Sequence, residues 1–182
     1  VMRAAVAAGA GMINDVYALR QPGALETAAQ LGVPVVLMHM QGEPRSMQQD
    51  PHYQDVVAEV GQFLSERVRA CEVAGIPRER LLVDPGFGFG KTLEHNLELL
   101  RSLHALADPD LPVVVGLSRK SSIGKLLGGV SAEGRLYGSI AAAVIAVLKG
   151  ASIVRAHDVK PTVEVLKVAA AVCAGGCYNF PA

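Results

Sequence analysis

The chain has 182 residues, 51% of them apolar and 19% charged, with a mean hydropathy of +0.31. This is the profile of a soluble globular protein and excludes a disordered or collagen-like chain. Seventeen basic and seventeen acidic residues cancel, so no net field draws nucleic acid or an anionic membrane, and any anion site must be local.

One pattern repeats along the chain: a short apolar run, a polar or glycine-rich stretch, then an amphipathic segment. The N-terminal stretch up to Gly11 is small and apolar but lacks the cleavage pattern of a signal peptide. The first apolar run is Met12-Ile13, and the second extends from Pro34 to Met38. A helix follows. Asp50-Pro51 is a suitable N-cap and first-position pair, Val57, Val60, Leu64, Val68 and Cys71 supply its apolar stripe, and Gly75 closes it. The third run is Leu81 to Val83, and Thr92 can cap the helix after it, with Leu93, Leu97, Leu100 and Leu103 on its apolar face. The fourth run is Pro112 to Val115, and Lys120 opens a helix-like stretch beyond it. A helix from about Glu133 to Lys149 is stopped by Gly150, the fifth run is Ser152 to Val154, and a last helix from Asp158 to Cys173 is stopped by Gly175. Residues 175–182 follow neither periodicity and read as a disordered tail.

The apolar runs are continuous rather than alternating, as in strands buried on both faces of a parallel sheet. Alternating strand and helix then imply an α/β fold, doubly wound or barrel, in one domain over residues 1–174. Runs this short, interrupted by Pro, Gly or charge, exclude a span of the roughly 20 residues a bilayer needs. Cys71, Cys173 and Cys177 are odd in number and scattered, which suggests reduced cytosolic thiols. No further His or Cys near Cys173 and Cys177 completes a tetrahedral metal set.

The chemistry follows the apolar runs. They deliver, in turn, Asn14-Asp15, His39-Met40-Gln41, Asp84 with a glycine-rich loop, Gly116-Leu117-Ser118-Arg119-Lys120, and Arg155-Ala156-His157-Asp158. The C-terminal edge of a parallel sheet is where α/β folds bind ligands. Lys120, Arg155 and His157 offer donors to phosphate oxygens or a carbonyl, while Asn14 and Asp84 match the edge of a flat heterocycle. Together they suggest a heterocycle carrying a phosphate leaving group. Plainer readings stand beside these: Asp84 as a turn cap before Pro85, and Arg119 and Lys120 as solvated helix openers. His39 reads as a packing or loop residue, and His52, His95 and His104 as surface positions on helical segments. Gly86 to Thr92 is not a P-loop, because Pro85 stands where that motif needs its first glycine. Its glycines suit a loop lying close to a ligand, with Phe87 or Phe89 as an aromatic lid.

Five motifs in order carry a resemblance. Asn14-Asp15, Leu37 to Gly42, Asp84 to Lys91, Ser118 to Ser121 and Arg155 to Asp158 resemble the successive signatures of the dihydropteroate synthase family over residues 1 to 170. The resemblance implies a (β/α)8 barrel of the TIM type, here about its last five units, and a cytoplasmic homodimer. It implies condensation of hydroxymethyl-dihydropterin pyrophosphate with p-aminobenzoate, releasing pyrophosphate with Mg²⁺ assistance, and sensitivity to sulfonamides. It places Asn14, Met38, Asp84, Gly116 and Lys120 at the pterin and Arg155 and His157 at the pyrophosphate. Ser118, the stem of Arg119, Lys120 and Phe89 fall at the p-aminobenzoate, and Asp84, Lys120, Arg155 and His157 become the catalytic group.

The family's metal-binding Asn, a further pterin-contacting Asp and two mobile loops have no counterpart here, so no metal ligand is expected in this chain. A full barrel typically needs ~250 residues, and the count of five units leaves three unaccounted for. The chain therefore reads as a fragment, with an exposed apolar interior and little activity alone. Two rivals remain. A methyltetrahydrofolate methyltransferase-like domain would share Asn14 and Asp84 but have no use for the cationic set, and a non-catalytic paralogue would keep the fold without turnover.

Overall fold

The computed structural model describes residues 1–106 and 110–173; the expected tail, with Gly175 and Cys177, lies outside them. Five strands, β1 (Ile13–Asp15), β2 (Val35–Met38), β3 (Leu81–Asp84), β4 (Val113–Val115) and β5 (Ala151–Val154), form one parallel sheet in the order β1-β2-β3-β4-β5. Each of the five apolar runs is a strand. Sequential order in a parallel sheet, with right-handed crossovers, puts every connecting helix on the same side. That is the arrangement of a barrel wall; a doubly wound sheet would reverse order partway.

The helices are α1 (Met2–Ala7), α2 (Ala24–Leu31), α3 (Val56–Val73), α4 (Leu93–Arg101), α5 (Ser121–Leu126), α6 (Leu136–Leu148) and α7 (Val159–Cys173). Helix α3 starts five residues later than Asp50-Pro51 suggests. Asp55 caps it, accepting from the N–H groups of Val57 and Ala58 at 3.0 Å, so residues 50–54 and His52 fall in a loop. A Pro can open a helix only where the chain already turns to enter it, and here Gln41 instead holds the His52 backbone on both its N–H and C=O. The buried stripe of α3 is Val56, Val60, Leu64, Val68 and Cys71. Gly75, at φ +87°, ends it: the Ile76 N–H reaches Cys71 O and the Gly75 N–H reaches Glu72 O, the two bonds of a Schellman turn.

Thr92 caps α4 in a reciprocal box with His95, so His95 has a structural task. The buried side of α4 is Asn96 and Leu99, continuing to Leu103. This is one position off the stripe read from the leucines, because Asn96 turns inward to bond the loop before it.

Strand residues alternate between two faces. Val35, Leu37, Leu81, Val83, Val113 and Val115 join the main core with the helices. Val36, Leu82 and Val114 form a separate cluster on the opposite, inner face. The expectation of an exposed apolar interior is thus corrected: these three side chains are buried, and the exposure falls on the edge strand, where Ile153 is 39% accessible. The three central strands shield one another, whereas β1 and β5 each lack a neighbour on the outer side among the described residues.

Candidate active site

Register decides which side chains reach the inner rim. Asn14 is level with Val36, and Met38 is level with Asp84. All four point to the inner face. Between β4 and β5 the register shifts: Val113 faces Ala151, but Val114 faces Ile153. This bulge inserts Ser152, so Ile153 and then Arg155 take the inner face where Ser152 and Val154 would otherwise stand.

Asp84 is the centre of the arrangement and only 1% exposed. One carboxylate oxygen accepts the Gly86 N–H at 2.7 Å, and the other accepts from the Arg155 guanidinium at 3.2 Å. Arg155 reaches across β4 over Gly116, where an added Cβ would lie 2.6 Å from its Nη2. Only glycine leaves that path open.

Lys120 enters from the loop after β4. Its ammonium donates to Phe87 O and sits 4.8 Å from the Phe89 ring centroid, a cation–π contact. Burial pulls the Lys120 ammonium down to about 8; Asp84 pulls it back up, and Arg155 presses it down again. The three groups therefore feel one another. With Phe89, Gly116, Ser118 and His157, the Lys120 and Arg155 side chains line an open cleft of about 290 Å³. The Ser118 hydroxyl bridges the two loops, contacting His157 at its backbone N–H and at Nδ1, both at 3.1 Å.

The other expected residues stand slightly apart. Met38 is buried beneath Gly86, whose Cβ position would be 3.3 Å from Met38 Cγ. Asn14 is exposed, two strands from Asp84 on the same face. Arg119 has φ +57° and turns its guanidinium out to Asp158, which it binds through Nε at 3.0 Å and Nη2 at 2.6 Å. That pairing holds the Asp158 carboxyl below its usual range and raises Arg119. The guanidinium is thereby committed to Asp158, and Arg119 does not line the cleft. Its strained turn is braced by Ser139 Oγ on the N–H and by Arg135 on the carbonyl.

Sequence reasoning missed two inward polar residues, Lys91 and Asn96. Asn96 accepts the Gly88 N–H at 2.7 Å and donates to Thr92 O at 2.5 Å. Lys91 is 3% exposed, and its Nζ meets His39 Nδ1 at 2.9 Å, Gly86 O at 3.0 Å and Phe89 O at 3.1 Å. The available signal was a lysine closing a glycine-rich loop just before a helix cap, in a position a P-loop would give to a phosphate ligand. Among the described residues, no three His, Cys, Asp or Glu side chains converge to hold a metal, and no helix is long and apolar enough to cross a membrane.

Residues 1–157 match the family described as pterin-binding enzymes. The chain belongs to that family. Among its relatives is the dihydropteroate synthase of Escherichia coli (strain K12), 54% identical over 168 residues that cover 92% of this chain and 59% of the relative. The chain thus spans about three-fifths of the length of the curated relatives it matches. A crystal structure of dihydropteroate synthase from Stenotrophomonas maltophilia with active site-bound imidazole superposes with a TM-score of 0.94 at 58% identity, covering 97% of this chain and 66% of that one. The Xanthomonas albilineans enzyme in complex with 7,8-dihydropteroate superposes at 0.90 with 57% identity and the same two coverages. The five parallel strands of this family member are accordingly part of a TIM-type barrel.

Proposed function

We propose that these residues form the substrate-binding rim of a dihydropteroate synthase, acting on hydroxymethyl-7,8-dihydropterin pyrophosphate and p-aminobenzoate. The carrying observation is the convergence of Asp84, Lys120 and Arg155 beside one cleft. The 7,8-dihydropteroate bound by the X. albilineans relative supports the reading.

In this reading Asp84 accepts N–H groups of the pterin, using acceptor sites beyond the two already engaged. Lys120 donates to the ring carbonyl and borders the arylamine. Arg155 and His157 take the diphosphate, and Ser118 receives the p-aminobenzoate carboxylate. As the C–O bond to pyrophosphate breaks, positive charge spreads from the exocyclic methylene into the ring, where the Asp84 carboxylate stabilises it. The arylamine nitrogen forms the new C–N bond, its proton leaves to solvent, and pyrophosphate departs with the electron pair of the broken bond. No covalent enzyme intermediate is needed.

Mg²⁺ belongs to the reading only through the family resemblance. Asp84 is engaged by Gly86 and Arg155, and among the described residues no three His, Cys, Asp or Glu side chains converge to hold the ion; no step is routed through it. A cytoplasmic homodimer belongs to the same proposal. The test is 7,8-dihydropteroate formation by a polypeptide of the relatives' full length that carries these 182 residues. Lys120→Ala should raise KM for both substrates by about tenfold or more, as expected for losing a charged hydrogen bond. Unchanged kinetics for both would remove the assignment.

A further inference from the structure

The loop between Asp84 and Thr92 lies against the cleft on one side and the sheet on the other; Phe87 anchors it in the apolar core, and buried polar contacts stand beside that anchor. An ammonium has three N–H donors. In its protonated form Lys91, which burial pulls down to about 7, has a partner for each of them in Gly86 O, Phe89 O and His39 Nδ1. For His39 to accept at Nδ1, its proton must sit on Nε2. Burial and the neighbouring charges of Lys91 and Arg20 push His39 down to about 3, so its ring is neutral at ordinary pH and can accept. The His39 ring is itself fixed edge-on against Phe63, with centroids 4.9 Å apart. Gly86 and Gly90 let the loop approach this site: an added Cβ would meet His39 O at 1.9 Å and Gln41 O at 2.4 Å, respectively.

The same loop carries the two groups that set Lys120 in place. Phe87 O accepts from the Lys120 ammonium, and the Phe89 ring stands beside it. Burying a lysine deep beneath a loop costs free energy unless its donors are satisfied. A leucine or methionine there would fill the space at less cost and hold no carbonyl. What the lysine adds is a fixed height and orientation for residues 86–89.

We propose that Lys91 is a positioning residue: bonded to His39 Nδ1 and the carbonyls of Gly86 and Phe89, it fixes the loop that seats the Lys120 ammonium in the cleft. The inference deepens the proposed function and rests on Lys120 being a substrate-binding group. Its direct readout, however, is the state of Lys120 itself, which stands apart from turnover.

The test follows the rate at which an amine-acylating reagent labels Lys120, by mass spectrometry, as a function of pH. The purified protein is compared with Lys91→Met, His39→Leu and His39→Asn. Asn places an acceptor oxygen near where Nδ1 lies, whereas Leu removes it. Thermal melts identify which variants are folded. Loosening the loop lets water reach Lys120, so Lys91→Met and His39→Leu should move its labelling midpoint upward by about one pH unit. His39→Asn should return it to the wild-type value. A folded Lys91→Met with an unmoved midpoint overturns the proposal. If Lys91→Met does not fold, identical midpoints for His39→Leu and His39→Asn overturn it equally. Failure of the functional reading looks different: the midpoints shift as expected, yet neither substrate binds or turns over.

Discussion

Two loops face each other across the cleft and are held in opposite ways. The loop after β3 is sewn down from beneath by Asp84, Lys91, Asn96 and the Tyr53 hydroxyl, which donates to Gly90 O at 2.9 Å. The loop after β5 leaves the sheet's edge strand, and Arg155 and His157 are exposed on it. Ser118, Asp84, the Arg119–Asp158 pair and the Arg155 N–H on Val115 O tie it back. A flat ring needs a rigid, dry seat, whereas a highly charged leaving group needs water within reach to depart. The difference in bracing matches that division of labour in the proposed reaction.

Breaking the rigid side should produce the largest effect. Gly86→Ala places a Cβ within 1.9 Å of the His39 carbonyl at φ +68°, and a clash with backbone cannot relax by a rotamer change. It should cost about 3–5 kcal/mol in a denaturant or thermal melt. Gly88→Ala, whose nearest neighbour is the flexible Lys120 Cδ at 3.4 Å, should cost only the left-handed backbone penalty of about 1–2 kcal/mol. Equal losses would show that the loop is not anchored where the contacts place it.

Asp84 joins the two sides, so Asp84→Asn tests both. It removes the charge facing the developing cation and turns an amide toward either Gly86 or Arg155. We expect kcat to fall by about 100-fold or more, and a change under fivefold would exclude Asp84 from that role.

A smaller effect is expected from pH. Lys120 is charged below about 8 and neutral above it. The proposed bonds to the pterin carbonyl should therefore weaken as pH rises through 8, and kcat/KM should decline there. Lys120→Arg, which stays charged, should lose that alkaline limb; a wild-type profile flat to pH 10 would sink the assignment.

The smallest effect should come from the open side. Asp158→Asn frees the Arg119 guanidinium without touching the sheet, and the pair is solvent-screened. KM for p-aminobenzoate should change by about two- to fivefold, more at low salt. A loss as large as that of Asp84→Asn would mean the two loops are braced alike.

Much of this was legible from the chain alone. Five continuous apolar runs became five adjacent strands, and the polar residues after them gathered at one rim, because a parallel sheet puts every strand's C-terminal end on one edge. What escaped were contacts made by polar residues inside loops. Nothing in the periodicity distinguishes Asp50 from Asp55 as a cap; the Gln41 bonds to His52 and the Glu59 carboxylate on the Gln54 and Asp55 N–H groups separate them. Asn96 sits in a leucine-rich helix with no sign that it turns inward. Lys91 has the composition of a solvated residue, and its burial depends on His39, 52 residues away.

One consequence lies in Ser152, the extra residue in the fifth strand. Because side chains alternate, drawing it into regular pairing would carry no new group into the molecule and remove no expected ligand, yet it would exchange inside for outside in everything that follows. Val154 would then look into the cavity and Arg155 into the helix layer. The guanidinium's aim is thus set by the bulge rather than by the identity of any one residue, and a strand that paired Ser152 regularly would silence the protein while every motif still reads correctly.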